Sequence, residues 1–189
     1  MSGFELPAVR LEVIHMNEAP INPQIELGRA NRSGVFGRLV AAFVLLSLSC
    51  AACGNLPKNG FSSDVTSDGI TYVGEYKDGK PNGHGTISLD GDVYIGQFKD
   101  GVPNGEGVLR FSDGRKYVGQ WKNADYNGQG TFTYASGEQY VGQWANSERS
   151  GWGELFAADG TVMLAGYWVD DFYWGLIPPM DLWASAALS

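Results

Sequence analysis

Tyr117–Gly137 reads YVGQWKNADYNGQGTFTYASG, and the rest of the chain is arranged around copies of it. Upstream, Tyr72–Gly91 reads YVGEYKDGKPNGHGTISLDG and Tyr94–Gly114 reads YIGQFKDGVPNGEGVLRFSDG. Downstream, Tyr140–Gly160 reads YVGQWANSERSGWGELFAADG, and a decayed fifth copy, LAGYWVDDFYWG, runs from Leu164 to Gly175. Self-similarity at a period of 22 to 24 residues marks a repeat array and outranks any residue-by-residue assignment of fold.

Each copy opens on two aromatic residues flanking a glycine: Tyr72/Gly74/Tyr76, Tyr94/Gly96/Phe98, Tyr117/Gly119/Trp121 and Tyr140/Gly142/Trp144. These twelve residues are the expected repeat core. In a strand the three positions share one face, and the bare glycine leaves a slot there that a neighbouring ring can cover. The opposite face is half polar, with Val73, Ile95, Val118 and Val141 beside Glu75, Gln97, Gln120 and Gln143. A turn follows, Asp78-Gly79 in the first copy and Asp100-Gly101 in the second, where positive φ is needed. The second strand puts Ile87/Leu89, Leu109/Phe111, Phe132/Tyr134 and Leu155/Ala157 on one face and ends on Asp-Gly or Ser-Gly. Alternation broken by Asp-Gly predicts hairpins. The expected fold is all-β, an elongated antiparallel meander of tandem hairpins with about ten strands.

The pattern Tyr-x-Gly-x-aromatic, about five residues, then Asn-Gly-x-Gly resembles the MORN repeat (membrane occupation and recognition nexus). The resemblance covers Tyr72–Gly175 with a half-repeat at Phe61–Gly69. The third copy has Ala124 and the fourth Ser147 where Gly79 and Gly101 stand, and the fifth begins with Leu164, departures that bear on the geometry of the last turns. Residues 61–177 are assigned to the array and 178–189 to a tail. Met180–Ser189, with Leu182 and Trp183, is expected to fold back as a cap on the last strand.

Residues 1–34 hold scattered prolines and no period, and read as a poorly ordered leader with translation starting near Val35. Arg29, Arg32 and Arg38 precede the apolar run Leu39–Leu48, and residues 35–53 read as a secretory signal. The two cysteines, Cys50 and Cys53, stand at its end, and none lies in the array, so a disulfide framework is excluded. Leu46-Ser-Leu-Ser-Cys50 resembles a bacterial lipobox, which implies acylation at Cys50, with Cys53 the alternative. Residues 54–60 then form a short tether. The resemblance implies a lipid-anchored protein of the bacterial cell envelope. Ala51 after Cys50 (Gly54 after Cys53) rather than Asp implies the periplasmic face of the outer membrane in a diderm host. Secretion and a retained signal anchor are the alternatives.

Nine Lys/Arg against seventeen Asp/Glu follow Ser49, so that part alone carries the net charge of −8. This argues against nucleic acid, which needs clustered basic charge, and against acidic phospholipid heads. His84 stands where Glu106, Gln129 and Trp152 stand in other copies, and neither a triad nor a metal-spaced cluster accompanies it. Asp90, Asp92 and Asp113 are read as turn carboxylates rather than calcium ligands. No catalytic residue, cofactor or metal is expected. Where Pro81 and Pro103 stand, later copies have Tyr126, Arg149 and Tyr173, and around them Trp152, Phe172 and Trp174 appear. Tyr126, Trp152, Phe172, Tyr173 and Trp174 are therefore the candidate docking patch, since clustered surface aromatics anchor partners. The expected function is that of a membrane-tethered interaction or scaffold module binding an envelope protein. A module binding envelope glycan or phospholipid through exposed aromatics is the alternative.

Overall fold

The computed structural model describes residues 59–66 and 69–177. The leader, the apolar run, both cysteines and the tail 178–189 lie outside the described residues. Eleven strands follow one another: β1 Asn59–Val65, β2 Thr71–Lys77, β3 Lys80–Leu89, β4 Asp92–Lys99, β5 Val102–Arg110, β6 Lys116–Lys122, β7 Asp125–Thr133, β8 Gln139–Ala145, β9 Glu148–Phe156, β10 Val162–Val169 and β11 Phe172–Gly175. They form one antiparallel sheet in chain order. Each full copy contributes two strands, and so does the decayed fifth. The first strand begins at Asn59, two residues ahead of the half-repeat inferred from sequence.

Two kinds of turn alternate. At the aromatic end of each copy two residues close the hairpin, as where Lys77 pairs with Lys80 around Asp78-Gly79. Both turn residues have positive φ, which matches the right-handed twist of the flanking strands. At the other end most loops carry a single positive-φ glycine: Phe111 and Arg115 close one such loop, with Gly114 N–H donating to Phe111 O. The lost glycines do not change the turn. Ala124 (φ 68°) and Ser147 (φ 66°) adopt the conformation that Gly79 and Gly101 adopt, and both are buried. Ser147 is held there by its hydroxyl, which accepts from Tyr126 N–H at 3.1 Å and donates to Asp125 at 2.7 Å. Side-chain contact thus offsets a backbone strain that glycine would avoid. Successive turns are also tied together. The second turn residue donates its N–H to the preceding copy: Gly101 to Pro81 O, Ala124 to Pro103 O, Ser147 to Tyr126 O and Asp171 to Arg149 O.

The core is one face of this sheet. Tyr72, Tyr94, Tyr117 and Tyr140 are fully buried, with Tyr76, Phe98, Trp121, Trp144 and Trp168 beside them. Each leading tyrosine meets edge-on the ring at the end of its own strand and the equivalent ring of the next copy. The second set is Tyr72–Phe98 at 5.2 Å, Tyr94–Trp121 at 5.0 Å, Tyr117–Trp144 at 5.6 Å and Tyr140–Trp168 at 5.3 Å. Edge-to-face packing sets the positive ring edge on the negative ring face, so the ladder stabilises beyond the area it buries.

Candidate functional site

Two glycines per copy explain how the sheet holds these tyrosines. Gly74 pairs with Gly85 across β2 and β3, and the Tyr72 ring lies over both. A Cβ on either would stand 2.5 Å from the Tyr72 hydroxyl. The later copies repeat the pair: Gly96 faces Gly107 under Tyr94, Gly119 faces Gly130 under Tyr117, and Gly142 faces Gly153 under Tyr140. A Cβ on Gly96, Gly119 or Gly142 would meet the hydroxyl of that tyrosine at 2.5, 2.8 or 2.7 Å.

The neighbouring ring that fills each slot is the leading tyrosine of the glycine's own strand, two residues back. The assignment of all four glycines to the core needs one correction: Gly74 and Gly142 are buried, whereas Gly96 and Gly119 are only half-buried. The cause is the missing side chain. A glycine backbone is covered by the tyrosine on the inner face and left open on the outer face, so it forms the floor of the core and adds no volume to it.

The Tyr72 hydroxyl donates to Glu75 O at 2.9 Å, and Tyr94, Tyr117 and Tyr140 repeat the contact with Gln97, Gln120 and Gln143. Burial pushes all four phenols above their ordinary range, most strongly through loss of water around the charged form.

The first glycine of Asn-Gly-x-Gly has another task. Between the pairs Gly74–Gly85 and Tyr76–Pro81, three residues, Asn82, Gly83 and His84, lie opposite the single Glu75. Such a bulge strands a backbone donor and sharpens the local twist. The Glu75 carboxylate accepts from His84 N–H at 2.9 Å, and Gln97, Gln120 and Gln143 do the same for Glu106, Gln129 and Trp152. The polar residue beside each aromatic strand is therefore a bulge clasp. His84 itself is exposed, 3.6 Å from Glu75. Its bulge opens a polar cleft of about 660 Å³ lined by Lys77, Asn82, His84, Lys99 and Asn104.

The candidate docking residues divide by strand parity. Tyr126 is only 2% exposed and stacks on Tyr117 at 3.7 Å. It takes the inward place of Pro81 and Pro103, so the aromatic substitution there adds to the core and not to the surface. Tyr173 also turns inward, 5.2 Å from Trp168, its hydroxyl donating to Ala165 O. Arg149, in the same place in the fourth copy, is buried over the Trp168 ring and bonded to Asp171 at 2.9 Å. Trp152, Phe172 and Trp174 face the other way, 42, 42 and 45% exposed. Tyr167, which the sequence reading left out, joins them: its ring meets Trp152 at 5.3 Å, and it lies opposite Gly175 in β11. Its signal was its parity, one residue before the inward Trp168.

The carboxylates expected in turns behave differently from one another. Asp92 is buried at the start of β4, accepting from Ser112 N–H at 2.8 Å. Asp113 is paired with Arg115, whose guanidinium lies over Phe111. Among the described residues no group of three His, Cys, Asp or Glu is placed to hold a metal ion.

A meander of hairpins, each closed by a tyrosine over paired glycines, defines a β-hairpin repeat protein. Residues 72–92, 94–114, 117–139 and 140–162 match the family model of the MORN repeat. MORN repeats are generally interaction or binding modules and not catalysts. No curated protein matches this chain.

Proposed function

We propose that this protein is a non-catalytic interaction module, held at the membrane by a lipid on Cys50 or Cys53, that docks an envelope protein through Trp152, Tyr167, Phe172 and Trp174. The observation that carries the reading is the exposure of Trp152, Phe172 and Trp174, with the half-buried Tyr167 among them, on one face at one end of the sheet, while Tyr72, Tyr94, Tyr117 and Tyr140 are fully buried. Aromatic side chains that stay half in water cost solubility and supply hot-spot contacts on docking. Crosslinking in intact cells, followed by capture of the attached protein with wild type and Trp152→Ala, tests it. The variant keeps its fold and loses the crosslinked product; an unchanged product excludes this surface. For the anchor, Cys50→Ser abolishes labelling by a fatty-acid analogue. Labelling that is lost only in Cys53→Ser moves the lipid to Cys53, and labelling lost in neither removes the anchor.

A second reading, binding of an envelope glycan or a phospholipid headgroup, draws on the cleft at the first bulge, whose lining mixes donors and acceptors. Sedimentation with peptidoglycan or lipid vesicles, set against the protein pull-down, separates the two.

A further inference from the structure

At the C-terminal end of the sheet the inner face holds a ring, a carboxylate and a cation together, and the outer face holds only the first two. On the inner face Arg149 lies 4.4 Å over the Trp168 ring and is bonded to the Asp171 carboxylate at 2.9 Å. The three groups satisfy one another, since the guanidinium rests on the negative face of the indole while its planar fork meets the carboxylate. On the outer face Trp152 meets Tyr167 edge-on at 5.3 Å. Glu154 shares that face two residues along β9, about 7 Å away, opposite Val141 on one side and Ala165 on the other. Asp170, exposed in the turn after β10, stands past Tyr167 at the far end of the rings, two residues before the exposed Phe172. Among the described residues no Lys, Arg or His pairs with Glu154 or Asp170.

This stretch of chain holds no other cation. From Asn123 to Ile177 there are seven Asp/Glu and one Lys/Arg, a net of −6, and the one cation is the buried Arg149. From Asn59 to Lys122 the balance is nine against seven, a net of −2. The twelve residues after Ile177 include Asp181 and no Lys or Arg. Negative charge is thus concentrated at the end of the array that carries the exposed rings. Charge of one sign beside apolar walls focuses the field and draws the opposite sign.

We infer that the surface of Trp152, Tyr167, Phe172 and Trp174 receives a cationic segment of its protein partner, with an arginine laid on Trp152 and its charge met by Glu154. The inference rests on the docking reading and names the chemistry of the partner. Arginine suits the place better than lysine, because a planar guanidinium stacks on indole and pairs with carboxylate at once, as Arg149 does on the inner face. A neutral apolar segment would cover the rings and leave Glu154 desolvated without a partner, a cost that a cationic segment avoids. An acidic segment is repelled by the same carboxylates.

Fluorescence anisotropy of a labelled Arg-Gly repeat peptide, titrated with full-length protein, tests it, with a Glu-Gly repeat peptide of equal length as the counterpart. Wild type binds the Arg-Gly peptide and not the Glu-Gly peptide, and the binding weakens as salt rises from about 0.05 M to about 0.5 M and screens the pair. Trp152→Ala weakens it about tenfold or more. Glu154→Gln, which keeps the shape and removes the charge, weakens it about threefold or more. Asp159→Asn removes the same charge from the loop between β9 and β10 and changes binding by less than about twofold. Circular dichroism of each variant matches wild type. No binding of the Arg-Gly peptide, equal binding of the Glu-Gly peptide, or equal losses in Glu154→Gln and Asp159→Asn overturn the inference. The two readings also fail separately in intact cells. A crosslinked product lost in Trp152→Ala and kept in Glu154→Lys leaves the docking surface standing and overturns the cationic partner. A product kept in both overturns the docking reading and this inference with it.

Discussion

Trp144 and Trp152 lie on neighbouring strands, eight residues apart, and do opposite things. Trp144 is 3% exposed, meets Tyr117, Tyr126 and Tyr140, and donates its indole N–H to Gly130 O at 3.2 Å. Among the described residues Trp152 meets one ring, Tyr167, and it is 42% exposed. Residue type does not separate them. Strand parity does, because Trp144 falls in phase with the leading Tyr140 and Trp152 falls between two glycines whose faces are already taken. The inner face therefore holds the array together, and the outer face at the C-terminal end leaves Trp152, Phe172 and Trp174 exposed.

Alkali tests the inner face most severely. The buried tyrosines ionise above their ordinary value of about 10 when folded and near it when unfolded. Their contribution is thus fully present below pH ~10 and is lost as pH rises towards the raised folded values, by up to about 1.4 kcal/mol per tyrosine per pH unit. Tyrosinate absorbance of these residues is expected to emerge together with loss of the β-sheet circular dichroism. Four phenols titrating near pH 10 with the sheet intact would place them in solvent.

Trp144→Ala comes next, with a loss on the order of 3–5 kcal/mol by chemical denaturation. Trp121→Ala belongs to the same class. A loss below about 1 kcal/mol would mean that the two faces are reversed. Gly130→Ala sharpens the point, since its Cβ would stand 2.6 Å from the Tyr117 ring. It is expected to cost about 2–3 kcal/mol, the upper range for overpacking. Gly160→Ala meets nothing within 4 Å and carries only the penalty of φ +86°, about 1 kcal/mol. Equal costs at the two sites would mean that the Tyr117 ring does not lie over Gly130. Ser147→Ala, which leaves Tyr126 N–H without its side-chain acceptor, is expected to cost about 1–2 kcal/mol.

Much of this was legible in the sequence, and the gaps have physical causes. The strands, their order and the inward set Tyr-x-Gly-x-aromatic follow from alternation and turn chemistry alone, and the structure places them so. What alternation does not say is which ring covers which glycine. Gly96, Gly119 and Gly142 share a face with two rings each, and only the rotamer of the leading tyrosine, folded along its own strand, decides between them. The docking residues were read by copy-to-copy comparison, which shows that a position has become aromatic and not which way it points. Tyr126 and Tyr173 were misplaced for that reason: the bulge puts three residues opposite one, so counting on from Tyr76 or Trp121 needs the pairing register. The roles of Glu75, Gln97, Gln120 and Gln143 as clasps were hidden for the same reason. Ala124 and Ser147 show the converse. The family pattern wants glycine there, yet burial and a neighbouring backbone donor hold the same turn without it.

The comparison comes down to Trp152→Ala, measured for melting and for capture of the crosslinked envelope protein in one preparation. The account predicts a stability within about 0.5 kcal/mol of wild type, together with a loss of binding of about 2 kcal/mol or more, the scale of a hot-spot residue. A loss of several kcal/mol in stability with capture unchanged would contradict it, making Trp152 a second inner-face tryptophan in all but position.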